Sequence, residues 1–168
     1  TDGVDIIWVI DPSGSMNTHK PRVIQGIEDM MNALPQVNWR LIIISADQNR
    51  SLVDSSFPLL PGDTVADAQA MYQASVTGGY EAGMYSVYNY IEMNSFSSNW
   101  LREDASLLIV FVSDEEDQST AQFPLVEDFT DWLDEQRESV FVASIVNQDP
   151  NVSDCNHNPL YIGDRYMD

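Results

Sequence analysis

The sequence is poor in cysteine, in basic residues and in long apolar runs, and each shortage excludes a class of protein. Cys155 is the single cysteine, so the chain has no internal disulfide and no zinc-type cysteine spacing. It is either a free thiol or the partner of a cysteine elsewhere. Only 7 lysines and arginines accompany 27 aspartates and glutamates. Such an acidic surface repels nucleic-acid phosphates and anionic lipid, and no apolar run approaches the roughly 20 residues that span a bilayer. We therefore expect no nucleic-acid partner and no membrane span.

The length and composition are those of one globular domain. The 168 residues, of which 43% are hydrophobic and 20% charged, suffice for a core without disulfides. We therefore expect a single domain over residues 1–168, either complete or cut from a larger protein. No signal peptide is predicted, because Thr1 leads almost directly into an apolar pattern. The net charge of −20 is explained either by solubility or by a setting rich in cations.

Apolar segments alternate along the chain with segments of helical spacing. Four apolar, β-branched segments predict strands: Val4–Ile10, Trp39–Ala46, Ala105–Ser113 and Ser139–Val146. Helical spacing predicts four helices: Pro21–Leu34, Asp63–Ser75, Tyr80–Met93 and Phe123–Gln136. Residues 47–63 are polar, and we expect a loop there with a short edge strand. The alternation predicts an α/β fold with a doubly wound, mostly parallel sheet flanked by helices.

Two predicted strands are followed directly by an aspartate. Asp11 follows the first strand and Asp114 follows the third, so in a parallel sheet both carboxylates emerge at the same edge. Ser13 and Ser15 alternate with Asp11, and an extended loop would direct all three side chains the same way. Gly14 is expected to let the backbone bend between them.

This cluster offers oxygen ligands and nothing softer. Oxygen ligands favour one hard divalent cation, Mg²⁺ or Ca²⁺, with Mn²⁺ a third candidate. Because two of the ligands are neutral hydroxyls, the cation would keep part of its charge. A cation of that kind accepts a carboxylate from another molecule as a ligand, so the pattern indicates a site that binds a partner through the cation.

The run Asp11-Pro12-Ser13-Gly14-Ser15, directly after an apolar strand, resembles the D-x-S-x-S motif of von Willebrand factor A domains. The resemblance covers essentially the whole chain, and Val4–Met16 with Leu101–Ser119 most resemble a bacterial subgroup of secreted or surface-attached members. It implies a Rossmann-like fold with a metal-ion-dependent adhesion site. In that site Asp11, Ser13 and Ser15 would bind the ion, and Asp114 would bind it directly or through water. It also implies an extracellular or cell-surface location, with a virion surface as the alternative.

One element of the family departs from its usual form. Most members have a threonine, often as G-G-T, where this chain has Tyr80 after Gly78-Gly79. Either Glu81, which resembles a glutamate of integrin β-subunit domains, or Thr77 would complete the site. We favour Glu81, because a carboxylate is a natural ligand of a hard cation and three carboxylates would shift preference toward Ca²⁺. Tyr80 is expected to contact the partner. The further candidates for ligands or rim residues are Asp47 and Glu115.

The function that these residues predict is metal-dependent binding of a protein or glycoprotein that supplies an aspartate or glutamate. We expect no catalysis, because the chain has no G-x-x-x-x-G-K-[ST] loop and its serines do not lie in a G-x-S-x-G turn. Two alternatives stay open. One is a structural module of a larger adhesin, pilus or virion, in which the metal only stabilises loops. The other is an intracellular partner of an ATPase, which the acidic balance disfavours.

Overall fold

The computed structural model describes residues 3–36, 38–146 and 163–168. Within these ranges the sheet has four strands: β1 (Val4–Ile10), β2 (Trp39–Ser45), β3 (Ser106–Ser113) and β4 (Val140–Val146). All three pairings are parallel, and the spatial order is β2-β1-β3-β4. The predicted parallel sheet is confirmed, and each strand boundary lies within one residue of its expected position.

In the described part of the chain, five α-helices connect and flank these strands. They are α1 (Lys20–Ala33), α2 (Gln48–Val53), α3 (Val65–Ser75), α4 (Gly83–Tyr88) and α5 (Val126–Asp134). The backbone after α4 continues as a wider π-helical turn over Asn89–Met93. The four predicted helices are present with shifted ends. Helix α1 begins and ends one residue earlier than predicted, and α3 begins two residues later. Helix α4 begins three residues later and, with its π-helical continuation, reaches the predicted end, whereas α5 begins three residues later and ends two residues earlier.

The expectation for residues 47–63 was partly wrong. Helix α2 forms where a loop was predicted, because the Asp47 side chain accepts a hydrogen bond from the Asn49 N–H and caps the helix. Ser51 is the only buried residue of α2, so the segment carries no apolar periodicity. The expected edge strand is reduced to one antiparallel bridge between Leu41 and Leu59.

Helices cover both faces of the sheet. Trp8 of β1 packs toward α1, where its indole N–H donates to the Met30 sulfur over 3.3 Å. Phe111 of β3 lies beside Val9 in the register and so points to the opposite face. There its ring packs 6.0 Å from the ring of Phe129 in α5. The sheet is therefore doubly wound, which explains why the central strands are apolar at nearly every position.

The strand order determines where a ligand cleft can form. From β1 the chain moves outward to β2 and then returns to the other side of β1 as β3. Crevices in open α/β sheets form at such a reversal, outside the carboxyl ends of the two strands. The loops that follow Ile10 and Ser113 meet at this point.

A buried ion pair lies near the amino-terminal ends of the strands, opposite the candidate cleft. Asp5 is fully buried in β1, and its carboxylate accepts from the Arg102 guanidinium over 2.7 Å and from the Arg102 backbone N–H over 2.7 Å. This network lies far from the carboxyl ends of the strands. Within the described ranges no helix is long and apolar enough to cross a membrane. Cys155 lies outside the described residues.

Candidate metal centre

Asp11 is held in place by the sheet itself. Its backbone N–H continues the β1–β3 ladder by donating to the Val112 carbonyl over 2.9 Å. Its side chain is fully buried, with one carboxylate oxygen accepting from the Ser13 N–H over 2.7 Å and the other from the Ser113 hydroxyl over 2.8 Å. Sequence reasoning gave Ser113 no role. The strand pairing explains the contact, because the residue after Val112 lies next to Asp11 when Ile10 pairs with Val112.

The two serines of the motif link Asp11 to the second aspartate. The hydroxyls of Ser13 and Ser15 lie 2.8 Å apart, and the Ser15 hydroxyl donates to Asp114 Oδ1 over 2.9 Å. Asp114 is buried at 7% exposure, whereas both serines are partly exposed. The structure therefore brings Asp11, Ser13, Ser15 and Asp114 together as one connected group of oxygen atoms at the expected edge.

The predicted conformation of the loop after β1 was wrong. The loop after β1 is not extended, because Ser15–Thr18 forms a 3-10 turn in which the Met16 N–H bonds to the Ser13 carbonyl. Gly14 has ordinary helical dihedrals of φ −65° and ψ −28°, and a Cβ at this position would meet nothing within 4 Å. The bend therefore does not require glycine, and the turn brings the hydroxyls together.

Glu81 is buried beside the same group of carboxylates. Burial, the neighbouring Glu115 carboxyl and the charges of Asp11 and Asp114 together raise the pKa of Glu81 from its usual 4.5 to about 8, with burial the largest cause. Its side chain also accepts from the Gln118 amide over 2.8 Å, a contact for which the sequence gave no signal. Burial likewise raises the pKa of Asp11, although its hydrogen bonds from Ser13 and Ser113 oppose the shift.

Thr77, the alternative to Glu81, faces solvent. Its backbone carbonyl accepts from the Ser45 hydroxyl over 2.7 Å, and no side-chain contact joins it to the aspartates among the described residues. Tyr80 is 57% exposed and stands next to Glu81 on the rim. Glu115 is half-buried beside Glu81, as a rim residue would be.

Asp47 anchors a loop. One of its carboxylate oxygens caps α2, and the other accepts from the Gly79 and Tyr80 N–H groups over 3.0 and 3.2 Å. Burial alone would raise the pKa of Asp47, but these backbone donors lower it overall. Asp47 thus fixes the segment that precedes Glu81 through three backbone hydrogen bonds.

The donor set fits a hard divalent cation. The ion pairs among the described residues are Arg102–Asp5 and Arg165–Asp117, so neither Asp11 nor Glu81 has a basic partner there. Buried carboxylates whose pKa values are raised are the groups that a bound cation stabilises. No three carboxylate, imidazole or thiolate side chains in the described part of the chain are arranged to hold a metal by themselves. The serine hydroxyls would therefore have to contribute ligands.

Comparison with known proteins bears on the fold. No family model matches the chain, and no curated protein matches it. Among solved structures, proximal thread matrix protein 1 from the mussel byssus is similar, with a TM-score of 0.53 and 14% identity. The similarity covers 86% of this chain and 35% of that chain, so this chain corresponds to about a third of that protein. At this identity the likeness concerns the α/β architecture alone.

Proposed function

We propose that the chain is a von Willebrand factor A-type domain that holds one divalent cation and thereby binds an acidic group of a partner protein or glycoprotein outside the cell. The observation that carries this proposal is the connected oxygen group of Asp11, Ser13, Ser15 and Asp114 at the switch point of the sheet. The proposed cation is Mg²⁺ or Ca²⁺, with Mn²⁺ as a substitute, and no catalysis is proposed.

The residues divide into a buried floor and an open rim. Asp11 and Asp114 form the floor, and the Ser113 hydroxyl fixes one oxygen of Asp11. Ser13 and Ser15 form the rim and are partly exposed. A bound divalent cation would supply positive charge and an open coordination position for a carboxylate of the partner. Hydrogen bonds from the Ser13 N–H and the Ser113 hydroxyl orient the Asp11 carboxylate, which reduces the ordering cost of binding.

The acidic surroundings restrict which partners are accepted. Glu81 and Glu115 lie beside the proposed ion, and the whole chain carries a charge of −20. A partner carboxylate on an acidic surface would be repelled, whereas one flanked by basic residues would be attracted. Tyr80, exposed next to Glu81, offers an aromatic contact at the same rim.

The exposure of the rim also favours the binding role over the purely structural alternative. A cation that only stabilised loops would be enclosed by the protein, whereas Ser13 and Ser15 leave one side of the oxygen group open. An open coordination position holds a water molecule that exchanges with solvent. The two roles therefore differ in whether bound water can leave and be replaced.

Proton relaxation with Mn²⁺ separates these roles. Mn²⁺-loaded protein should strongly enhance the relaxation of solvent water, and acetate, as a carboxylate probe, should reduce that enhancement by displacing the water. Asp11→Asn should abolish the effect while far-ultraviolet circular dichroism stays unchanged. The matched control is Asp5→Asn, an equally buried aspartate at the opposite edge, which should leave it intact. Tight Mn²⁺ binding without exchangeable water would instead support the structural role.

A further inference from the structure

The segment 163–168 packs against the two loops that carry the candidate site. Its one helical turn, Asp164–Tyr166, lies beside the loop after β3 and the beginning of α4. Tyr166 is buried at 7% exposure, and its backbone carbonyl accepts from the Ser144 hydroxyl over 2.5 Å. Residues that are distant in sequence thus contact both Glu81's segment and Asp114's loop.

Arg165 makes most of these contacts. Its guanidinium forms an ion pair with Asp117 over 3.2 Å, and its backbone N–H donates to Glu116 over 2.8 Å. The remaining guanidinium N–H groups donate to the carbonyls of Phe123 and Pro124 over 2.6 and 3.2 Å. One residue therefore places a positive charge against the acidic loop that begins at Asp114 and connects that loop to the chain before α5.

Asp117 connects Arg165 to the segment that carries Glu81. It is 1% exposed, and one oxygen accepts from the Met84 N–H over 3.2 Å while the other accepts from the Ser119 N–H over 3.0 Å. A second link lies one residue away, where the Gln118 N–H donates to the Glu81 carbonyl over 2.8 Å. The loop after β3 and the segment before α4 are therefore joined through Asp117.

Tyr166 also contacts the place where the loop after β3 meets the beginning of α4, which we call the junction. Its hydroxyl oxygen accepts from the Gly83 N–H over 3.3 Å. A Cβ at Gly83 would lie only 2.5 Å from that oxygen and 3.1 Å from the Phe111 ring, so only glycine permits this approach. The chain is thus built to accommodate the segment at this position, two residues after Glu81.

We propose that Arg165 is a positioning residue for the candidate metal centre. Acting through Asp117, it fixes the spacing between the loop that carries Asp114 and Glu115 and the segment that carries Glu81. This inference rests on the proposed function, since it concerns the affinity of that same site for its cation. Without Arg165, the Asp117 carboxylate would be buried and uncompensated, and the junction would loosen.

The test compares two arginines that hold equally buried ion pairs. The side chains of Arg165 and Asp117 are 16% and 0% exposed, and those of Arg102 and Asp5 are 18% and 1% exposed. Arg165→Gln and Arg102→Gln are each made in the full chain, stripped of metal and titrated calorimetrically with Mg²⁺, Ca²⁺ and Mn²⁺. We expect Arg165→Gln to weaken cation affinity about tenfold or more, as loss of an outer-shell partner does. Arg102→Gln should lower stability without changing that affinity.

A second measurement reports the junction directly, without metal. Amide hydrogen exchange at Met84 and Gln118 should become faster in Arg165→Gln than its loss of global stability explains, whereas any increase in Arg102→Gln should not exceed what its loss of global stability explains. Arg165→Lys, which keeps the charge but loses the fork of donors, should lie between the wild type and Arg165→Gln in both measurements, and it serves if Arg165→Gln does not fold.

The outcomes separate the two proposals. Wild-type protein that binds no cation contradicts the proposed function. Wild-type protein that binds, together with an Arg165→Gln variant that binds equally well or shows exchange at Met84 and Gln118 no faster than its loss of global stability explains, contradicts only the positioning role. Equal loss of affinity in Arg102→Gln would also overturn it, because the effect would then follow from stability alone.

Discussion

The charge of Asp11 is expected to lower the stability of the metal-free protein and to favour binding of a cation. Its carboxylate is fully buried, and burial together with the charge of Asp114 raises its pKa. We expect Asp11→Asn to increase the free energy of unfolding of metal-free protein, because the substitution removes a buried charge. The amide oxygen can still accept from the Ser13 N–H, and the amide nitrogen can donate to the Ser113 hydroxyl oxygen, which reverses that bond. Urea denaturation checks this, and a less stable metal-free variant would contradict it.

Glu81 gives the metal-free protein a distinctive dependence on pH. Its pKa is about 8 in the folded chain against the ordinary value of 4.5, so the folded state binds the proton more tightly than the unfolded state. Stability from this group should therefore increase as the pH falls from about 8 toward about 4.5 and should be lost as the pH rises through that window. Denaturation across that window measures the slope.

The control for this dependence is Glu81→Gln, which has no carboxyl group to titrate at that position. Its slope between about pH 5 and about pH 8 should be clearly shallower. Cation affinity of the wild type should rise over the same window, by up to about tenfold per pH unit, because binding releases the proton. An identical slope in Glu81→Gln would show that another group controls the pH response.

For single residues, the sequence predicted a place in the candidate site when both the residue type and its position after a strand indicated it. Asp11 and Asp114 could be predicted because each directly follows an apolar strand. Ser113 and Gln118 could not, because their roles depend on which side-chain atoms meet across the sheet edge. Asp47 was ambiguous for the same reason, since a carboxylate after a strand either binds a ligand or caps the next helix.

The segment before α4 depends on one glycine. Gly78 has a φ of +114°, and a Cβ there would collide with the Asp47 side chain that holds this segment. We expect Gly78→Ala to destabilise the fold by about 1–3 kcal/mol through strain and lost contacts. The neighbouring substitution Gly79→Ala, where a Cβ meets nothing within 4 Å, should change stability little. Thermal unfolding of both variants measures these changes, and an equal loss of stability in the two variants would contradict the role given to Gly78.

Element prediction succeeded for the buried strands and failed for the polar helix. β1 was predicted to the residue because every position except Asp5 is apolar and every position after Val4 is buried. Helix α2 was missed because its six residues bury little and its start depends on the Asp47 cap. The turn at Ser15 was missed because a motif of alternating residues is compatible with both an extended loop and a turn.

The whole molecule carries a large uncompensated charge. With a net charge of −20, repulsion among carboxylates opposes the compact state, and salt screens it over a Debye length that falls from about 30 Å at 0.01 M to about 3 Å at 1 M. We expect the midpoint of thermal unfolding of metal-free protein to rise with NaCl over that range. A midpoint that stays constant or falls would show that self-repulsion does not limit stability.

The alternation of strands and helices allowed the α/β architecture to be predicted from sequence, whereas the strand order required the structure. Apolar runs do not reveal which neighbours they pair with, so the switch point between β1 and β3 emerged only from the pairings. The docking of Arg165 and Tyr166 was also beyond prediction, because the contacts of Arg165 with Asp117 and of Tyr166 with Gly83 join residues 48 and 83 positions apart and leave no periodic signal.

The central claim is that Asp11, Ser13, Ser15 and Asp114 hold one divalent cation. The most direct test is calorimetric titration of metal-stripped protein with Mg²⁺, Ca²⁺ and Mn²⁺, beside Asp11→Ala and the better-matched Asp11→Asn. The account predicts saturable binding at one site in the wild type and none in either folded variant. A folded wild-type protein that binds none of the three ions, or an Asp11→Asn variant that binds them as well as the wild type, would contradict it.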